Sequence, residues 1–202
     1  MKAPRRLVLA RHGRTAWNLD GRGQGHTNVE LDETGHAQAV AAAPVLAAYR
    51  PALLWSSDLA RARQTTEYVA KEAGVEAVHD ARLREFDLGD RTGLTMGEFA
   101  ERFPEEHAAH QSGRYVPVPG AESVEDVVAR VRTALAEVLD GLDAGETGLV
   151  IGHGTSLKAS VIAMLGWPAE LAGGLAALGN CHQAVLQELE YGGRLRLSAY
   201  NV

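Results

Sequence analysis

The sequence has few features of a secreted or membrane protein. Cys181 is the single cysteine among 202 residues, so an intramolecular disulfide is excluded. No apolar stretch approaches the roughly 20 residues that a membrane-spanning helix needs. Only four apolar residues stand between the basic N-terminus and Arg11, too few for the core of a signal peptide. We therefore expect a cytoplasmic protein without a membrane partner.

Positive charge is also scarce. The chain has 20 lysines and arginines against 26 aspartates and glutamates, for a net charge of −6. A nucleic-acid partner is not expected, because such binding usually needs a basic surface. The glycine-rich lysine motif of nucleotide-binding loops is absent as well. Any affinity for phosphate must therefore come from a few local groups.

Apolar patterning predicts strands that alternate with helices. The predicted strands are Leu7–Ala10, Ala52–Ser56, a weaker Val75–His79, Gly148–Gly152, Ala184–Leu189 and Arg194–Ala199. The predicted helices are Gly35–Tyr49, Asp58–Ala73, Thr95–Arg102, Ser123–Leu139 and Thr155–Leu165. Alternation of this kind indicates an α/β fold with a largely parallel sheet. Tyr191-Gly192-Gly193, between the last two strands, predicts a hairpin and hence an antiparallel edge strand.

Three residues predict details of these helices. Asp58 and Ser123 each precede a helical run and are expected to accept hydrogen bonds from its first free amides. Pro44 lies within the first long helix and predicts a kink or a break there.

Residues 92–120 do not share the strand pattern. We predict that they form a cap-like insertion covering one edge of the sheet, within a single domain of residues 1–202. His107 and His110, three residues apart in this segment, have the spacing of metal ligands on a helix. No further ligand is evident, so a solvated polar face is the favoured interpretation and no metal is expected.

Two histidines follow buried strands. His12 comes after the strand that ends at Ala10, and His153 comes after Gly152. Ligand crevices of α/β folds form at the carboxyl ends of strands. A neutral imidazole there can attack phosphorus and become a phosphohistidine. Either histidine could be that nucleophile, with the other donating to the transferring oxygens.

The remaining chemistry needs cations and an acid. Arg11 precedes His12 directly, and Arg61 lies in the first turn of a predicted helix. A guanidinium offers phosphoryl oxygens a planar pair of donors and a permanent charge. Glu85 and Asp87 both lie in one short segment, and either carboxyl group could protonate a leaving oxygen. Local sequence does not choose between them.

These residues are arranged as in the histidine phosphatase superfamily, which the chain resembles. That group includes cofactor-dependent phosphoglycerate mutase and many acid phosphatases. The similar segments, in the family's order, are Arg11–Asn18, Gln24-Gly25, residues 31–39, Ser56–Ala62, Leu83–Glu85 and Gly152–Gly154. The resemblance implies a phosphoglycerate mutase-like, three-layer α/β/α sandwich. It also implies that no metal or organic cofactor is needed.

The resemblance also implies a role for each residue. The nucleophile becomes His12 and the acid becomes Glu85. The other groups at the phosphoryl site would be Arg11, Arg61 and His153 as catalytic residues, with Asn18, Gln24, Gly25 and Gly154 binding substrate. The family often has a Trp-Glu pair where this chain has Arg91-Thr92, which alters the expected rim of the pocket.

The segment Arg84–Asp90 looks more like the phosphatases of this family than its mutases. We therefore predict a phosphomonoester hydrolase that acts on a small phosphorylated metabolite through a phosphohistidine. A cofactor-dependent phosphoglycerate mutase is the first alternative. A non-catalytic protein that binds a phosphorylated ligand is the second. The sequence leaves monomer or homodimer open.

Overall fold

The structure, a computed structural model, describes residues 3–189 and 193–202. Its strands are β1 (Arg6–Arg11), β2 (Leu53–Ser56), β3 (Ala77–His79), β4 (Thr147–Gly152), β5 (Gln183–Glu188) and β6 (Leu195–Tyr200). They form one sheet in the order β3-β2-β4-β1-β5-β6. The first four are parallel, whereas β5 is antiparallel to both β1 and β6. The predicted antiparallel pairing is thus present, although Tyr191 and Gly192 of the predicted turn lie outside the described residues.

Helices accompany the sheet along the described part of the chain. They are α1 (Ala16–Leu19), α2 (Glu33–Ala47), α3 (Ala60–Ala73), α4 (Met96–Arg102), α5 (Pro104–Gln111), α6 (Val124–Asp140) and α7 (Gly154–Met164). Short 3-10 turns occur at Ala81–Leu83, Gly89–Arg91 and Ala169–Gly174. Within the described residues, no helix is long and apolar enough to cross a bilayer.

Alternate side chains of β1 account for the layers of the fold. Leu7 and Leu9 enter a core that contains the apolar faces of α6 and α7. Val8 and Ala10 enter a second core, built with α2 and α3 on the opposite face of the sheet. A strand buried on both faces is typical of the centre of an α/β sandwich. The predicted three-layer α/β/α architecture is therefore confirmed.

Helix ends agree only partly with the sequence predictions. Ser123 accepts the Asp126 N–H at 3.1 Å, so the cap of α6 is confirmed. Asp58 caps nothing, because Arg84 binds both its carboxylate oxygens, at 2.8 and 2.6 Å. Of the kink or break expected at Pro44, the break is wrong, since α2 continues to its end three residues later. In the last turn a missing N–H removes only one helical hydrogen bond.

Residues 92–120 are partly helical and contain α4 and α5. Phe99 is buried at the centre of this segment. The rings of His107 and His110 meet it edge-on, with centroids 5.6 and 6.3 Å away. The two histidines thus pack around one aromatic ring. In the described part of the chain, no three His, Cys, Asp or Glu side chains are grouped to hold a metal ion.

Candidate active site

The pairing of β1 with β4 brings the two histidines together. Arg11 lies opposite Gly152 in this parallel ladder, and the His12 N–H donates to the Gly152 carbonyl at 3.0 Å. The His12 and His153 rings lie at the same carboxyl edge of the sheet, with centroids 5.1 Å apart. Residues distant in the sequence therefore meet because two neighbouring strands end together.

Gly13 allows the chain to turn at this point. A Cβ atom on Gly13 would lie only 2.5 Å from the Gly35 carbonyl oxygen at the start of α2. The Gly13 N–H also donates to Thr65 Oγ1 of α3 at 3.0 Å. The loop after β1 is thus held between two helices, which fixes the backbone beside His12.

The contacts of His12 define its protonation. Its Nδ1 lies 2.6 Å from the Gly13 carbonyl oxygen, which can only accept, so Nδ1 carries the proton and Nε2 keeps a lone pair. Burial lowers the pKa of His12 well below its ordinary value, and the charges of Arg61 and Arg11 lower it further. His12 therefore has the neutral form that nucleophilic attack requires.

His153 is fully buried beside His12. Its Nε2 lies 2.9 Å from Ser57 Oγ, while its buried Nδ1 has no hydrogen-bond partner in the ranges that the structure describes. Burial and the nearby Arg61 charge lower the pKa of His153 well below its ordinary value. A hydroxyl proton donated by Ser57 to Nε2 would place the ring proton on Nδ1, which is then free to donate.

Two arginines, Arg61 buried and Arg11 half-buried, are held by backbone carbonyls. Arg11 Nη1 donates to Leu178 O at 2.8 Å. Arg61 donates to Thr27 O at 2.8 Å and to Gly25 O at 2.9 Å. Burial lowers the pKa of Arg11, and it lowers that of Arg61 to about 10. Carbonyls orient these guanidiniums without cancelling their charge, so both remain available to an anion.

Glu85 is oriented by the start of α7. Its Oε1 accepts the Ser156 N–H at 2.7 Å and the Phe86 N–H at 3.0 Å, and its Oε2 accepts the Thr155 N–H at 3.0 Å. Asp87 accepts the Gly89 N–H instead and does not line the cavity described below. Of the two candidate acids, the geometry therefore favours Glu85.

Arg130 of α6 holds the segment that carries this acid. Its Nη1 donates to the carbonyls of Arg82 and Arg84, at 2.9 and 2.7 Å, and its Nη2 donates to that of Glu85 at 2.7 Å. The other two N–H groups bind the carboxylate of Glu122 at 2.8 and 2.7 Å. All five guanidinium donors are thus used, and three of them position the backbone at the acid.

The predicted substrate-binding residues divide into two groups. Asn18 and Gln24 line the cavity, and Asn18 Oδ1 is occupied by Thr15 and Asn180, which leaves the Asn18 amide nitrogen as its free donor. The two glycines stand behind the cavity wall. Gly25 binds Arg61 through its carbonyl, and a Cβ atom on Gly154 would lie 3.3 Å from Arg11.

One cavity of about 200 Å³ is lined by most of these groups, whereas His153 lies behind His12 and is not among its lining residues. The residues that line it are Arg11, His12, Asn18, Gly23, Gln24, Arg61, Glu85, Phe86, Leu88, Arg91, His110, Tyr115 and Thr155, of which His110 and Tyr115 belong to the 92–120 segment. Sequence reasoning missed Ser57 as the partner of His153, the amides at the start of α7, and the rim of Arg91, His110 and Tyr115. Only Arg91 carried a signal, as a departure from the family pattern.

Comparison with known proteins agrees with this geometry. The family model of the histidine phosphatase superfamily (branch 1) matches residues 7–201. Glucosyl-3-phosphoglycerate phosphatase of Mycobacterium tuberculosis is 38% identical over 183 residues, covering 87% of this chain and 82% of the relative. A 2,3-bisphosphoglycerate-dependent phosphoglycerate mutase of a Methylobacterium species is 37% identical over 178 residues, covering 85% and 86%.

A solved structure is similar over nearly the whole chain. It is the mycobacterial glucosyl-3-phosphoglycerate phosphatase in complex with VO3, with a TM-score of 0.89 and 36% sequence identity. The match covers 98% of this chain and 99% of that one. The predicted fold and family are both confirmed. This chain belongs to the histidine phosphatase superfamily, branch 1.

Proposed function

We propose that the protein is a phosphomonoester hydrolase that acts on a small phosphorylated metabolite through a phosphohistidine at His12. The observation that carries this proposal is the hydrogen bond from His12 Nδ1 to the Gly13 carbonyl. It leaves the Nε2 lone pair on a neutral ring that lines a cavity together with two arginines. The proposal agrees with the phosphatase relatives of the chain.

In the first step, His12 Nε2 attacks phosphorus and the P–O bond to the leaving group breaks. Glu85, as the carboxylic acid, gives its proton to the departing oxygen, because an alkoxide is a poor leaving group. The charge on the transferring group is stabilised by Arg11, Arg61 and His153 Nδ1. Donors that are fixed before the reaction usually contribute the largest share of the rate enhancement.

In the second step, water attacks phosphorus and the P–N bond to His12 breaks. Glu85, now a carboxylate, removes a proton from the attacking water. Inorganic phosphate leaves, and both residues return to their starting protonation states. The Asn18 amide and Gln24 complete the set of donors to the phosphoryl oxygens in this proposal.

Hydrolysis of a generic aryl phosphate tests the nucleophile. His12→Ala is expected to lose at least a thousandfold in turnover, because it removes the group that forms the covalent intermediate. His79→Ala is the control, since His79 is an exposed residue at the end of β3. Rapid acid-free quenching with labelled substrate should trap phosphate on the wild type and not on His12→Ala. Equal turnover of the two proteins would overturn the assignment.

The mutase relative supports a second candidate function. Both reactions use the same nucleophile and acid, so the outcome depends on where the phosphoryl group goes next. Incubation with 3-phosphoglycerate and a bisphosphate primer separates them. Release of inorganic phosphate supports the hydrolase, whereas isomerisation without release supports the mutase. Phosphate binding without turnover on either substrate would support a non-catalytic binding protein instead.

The location of the enzyme and the role of residues 92–120 belong to the same proposal. A cytoplasmic location fits a chain with one cysteine. We also propose that residues 92–120 act as a cap within one domain, because His110 and Tyr115 from this segment line the same cavity as His12. Size-exclusion chromatography with light scattering distinguishes a monomer from a homodimer.

A further inference from the structure

Three arginines have a buried Nε atom without a hydrogen-bond partner among the described residues: Arg11, Arg61 and Arg91. Burial lowers the pKa of all three, and all three line the same cavity. Seven other arginines pair with carboxylates, namely Arg5, Arg14, Arg22, Arg82, Arg84, Arg102 and Arg130. A buried guanidinium N–H without an acceptor is costly, so this arrangement favours an anionic ligand.

The phosphoryl site accounts for Arg11 and Arg61 but not for Arg91. The charges that lower the pKa of His12 are those of Arg61 and Arg11, whereas Arg91 acts on the pKa of His110. Arg91 also lines a small adjoining cavity together with His110 and Tyr115, and Arg11, His12 and Arg61 do not. Arg91 stands where the resembled family often has tryptophan, so this cation is a departure from that pattern.

Arg91 is held in place by apolar contacts. Its guanidinium stacks over the Phe99 ring with 4.3 Å to the centroid, and its Nη2 lies 3.5 Å from Met96 Sδ. Within the described ranges, no carboxylate oxygen lies within 4.0 Å of its nitrogens. Aromatic stacking orients a guanidinium while leaving its N–H groups free for an acceptor.

We propose that Arg91 is a specificity-determining residue, which binds a carboxylate of the substrate while His12 receives the phosphoryl group. The inference rests on the proposed function and names its substrate class, a phosphomonoester of a short hydroxy acid. A cavity of about 200 Å³ has room for more than a phosphoryl group, since a water molecule occupies roughly 30 Å³.

The neighbours of Arg91 favour a carboxylate over a second phosphate. The Tyr115 hydroxyl already donates to the Glu122 carbonyl at 3.1 Å. Burial and the Arg91 charge lower the pKa of His110, which keeps that ring neutral. Glu106 lines a small adjoining cavity of about 10 Å³ beside Arg91. Arg91 is one permanent cation with an acidic residue nearby. It therefore suits the single negative charge of a carboxylate better than the double charge of a phosphate.

Two substrates that differ only in this group test the inference. 3-Phosphoglycerate carries a carboxylate where glycerol 3-phosphate carries a hydroxymethyl group. Phosphate release should give the wild type a kcat/KM at least tenfold higher for 3-phosphoglycerate, the usual size of one charge-assisted hydrogen bond. In Arg91→Gln this ratio should fall to about one, and Arg91→Lys should retain part of it.

Arg102→Gln is the matched control, because Arg102 is an exposed arginine of α4 that lies over a phenylalanine ring, as Arg91 does. It should keep the wild-type ratio. The ratio is taken within one preparation, so partial unfolding of a variant cancels. A wild-type ratio near one, or an unchanged ratio in Arg91→Gln, overturns the inference. If the wild type prefers 2,3-bisphosphoglycerate to 3-phosphoglycerate and Arg91→Gln loses that preference, the carboxylate assignment is overturned. If the wild-type protein does not hydrolyse an aryl phosphate either, the proposed function itself is refuted.

Discussion

Replacing Arg130 with glutamine should damage both the stability and the chemistry of this protein. The substitution removes the charge and most of the donors that hold the carbonyls of Arg82, Arg84 and Glu85. It also removes the guanidinium donors of Glu122, which keeps the Asp87 N–H at 2.8 Å. The perturbation therefore acts on the backbone that carries the proposed acid, without touching its carboxylate.

The size of the effect follows from these contacts. Hydrogen bonds to a charged group contribute about 1.5–3 kcal/mol each, and removing one partner of a buried ion pair costs about 3–5 kcal/mol. The Glu122 side chain is 24% exposed and keeps the Asp87 amide. We therefore expect the free energy of unfolding to fall by about 3 kcal/mol. For a domain of this length, that loss lowers Tm by roughly 6–12 °C.

Urea denaturation and two phosphatase assays measure the two effects. An aryl phosphate with a good leaving group needs little proton donation, whereas an alkyl phosphate depends on it. Arg130→Gln should therefore lower kcat for the alkyl ester at least tenfold more than kcat for the aryl ester. Arg132→Gln, an exposed change on the same helix, should alter neither stability nor rate. Equal losses on both esters would refute a positioning role for Arg130.

Two further outcomes follow from the site. Because the pKa of His12 is lowered in the folded protein, the unfolded chain binds more protons below about pH 6.5, and stability should fall with acidification there. Urea titrations between pH 7.5 and 5.5 give the free energy of unfolding as a function of pH. Its slope should be shallower in His12→Asn than in the wild type by up to about 1.4 kcal/mol per pH unit. Identical slopes would contradict this. In Gly154→Ala, the new Cβ lies 3.3 Å from the Arg11 side chain, so kcat/KM should fall several-fold. The control is Gly173→Ala, where a Cβ meets nothing within 4 Å, and it should retain wild-type activity. A normal rate in Gly154→Ala as well would show that Arg11 tolerates the contact.

Periodicity and motifs predicted the parts of the molecule that depend on local chemistry. The apolar runs that predicted strands belong to strands whose side chains enter the core. Ser123 caps α6, as its position before a helical run predicts. The proximity of His12 and His153 could also be predicted from the sequence, because the parallel strands that precede them end at one edge of the sheet.

Contacts between distant side chains could not be read in the same way. Asp58 looked like a helix cap, but a stronger partner, Arg84, reaches it from another segment. Glu85 and Asp87 have similar local surroundings in the sequence; the family resemblance selected Glu85, and the amides of α7 supply the physical reason. The role of Ser57 likewise depends on its distance to His153, which no local pattern encodes. Tertiary partners thus decide what a polar residue does.

The ladder between β1 and β4 has a consequence for biosynthesis. Arg11 is translated early and its register partner Gly152 late, so a growing chain carries one half of the reactive centre long before the other. Strand pairing across such a separation is slow and waits for the intervening segments to close the loop. Under the proposed mechanism, a chain that ends before β4 lacks His153 and cannot assemble the phosphoryl site.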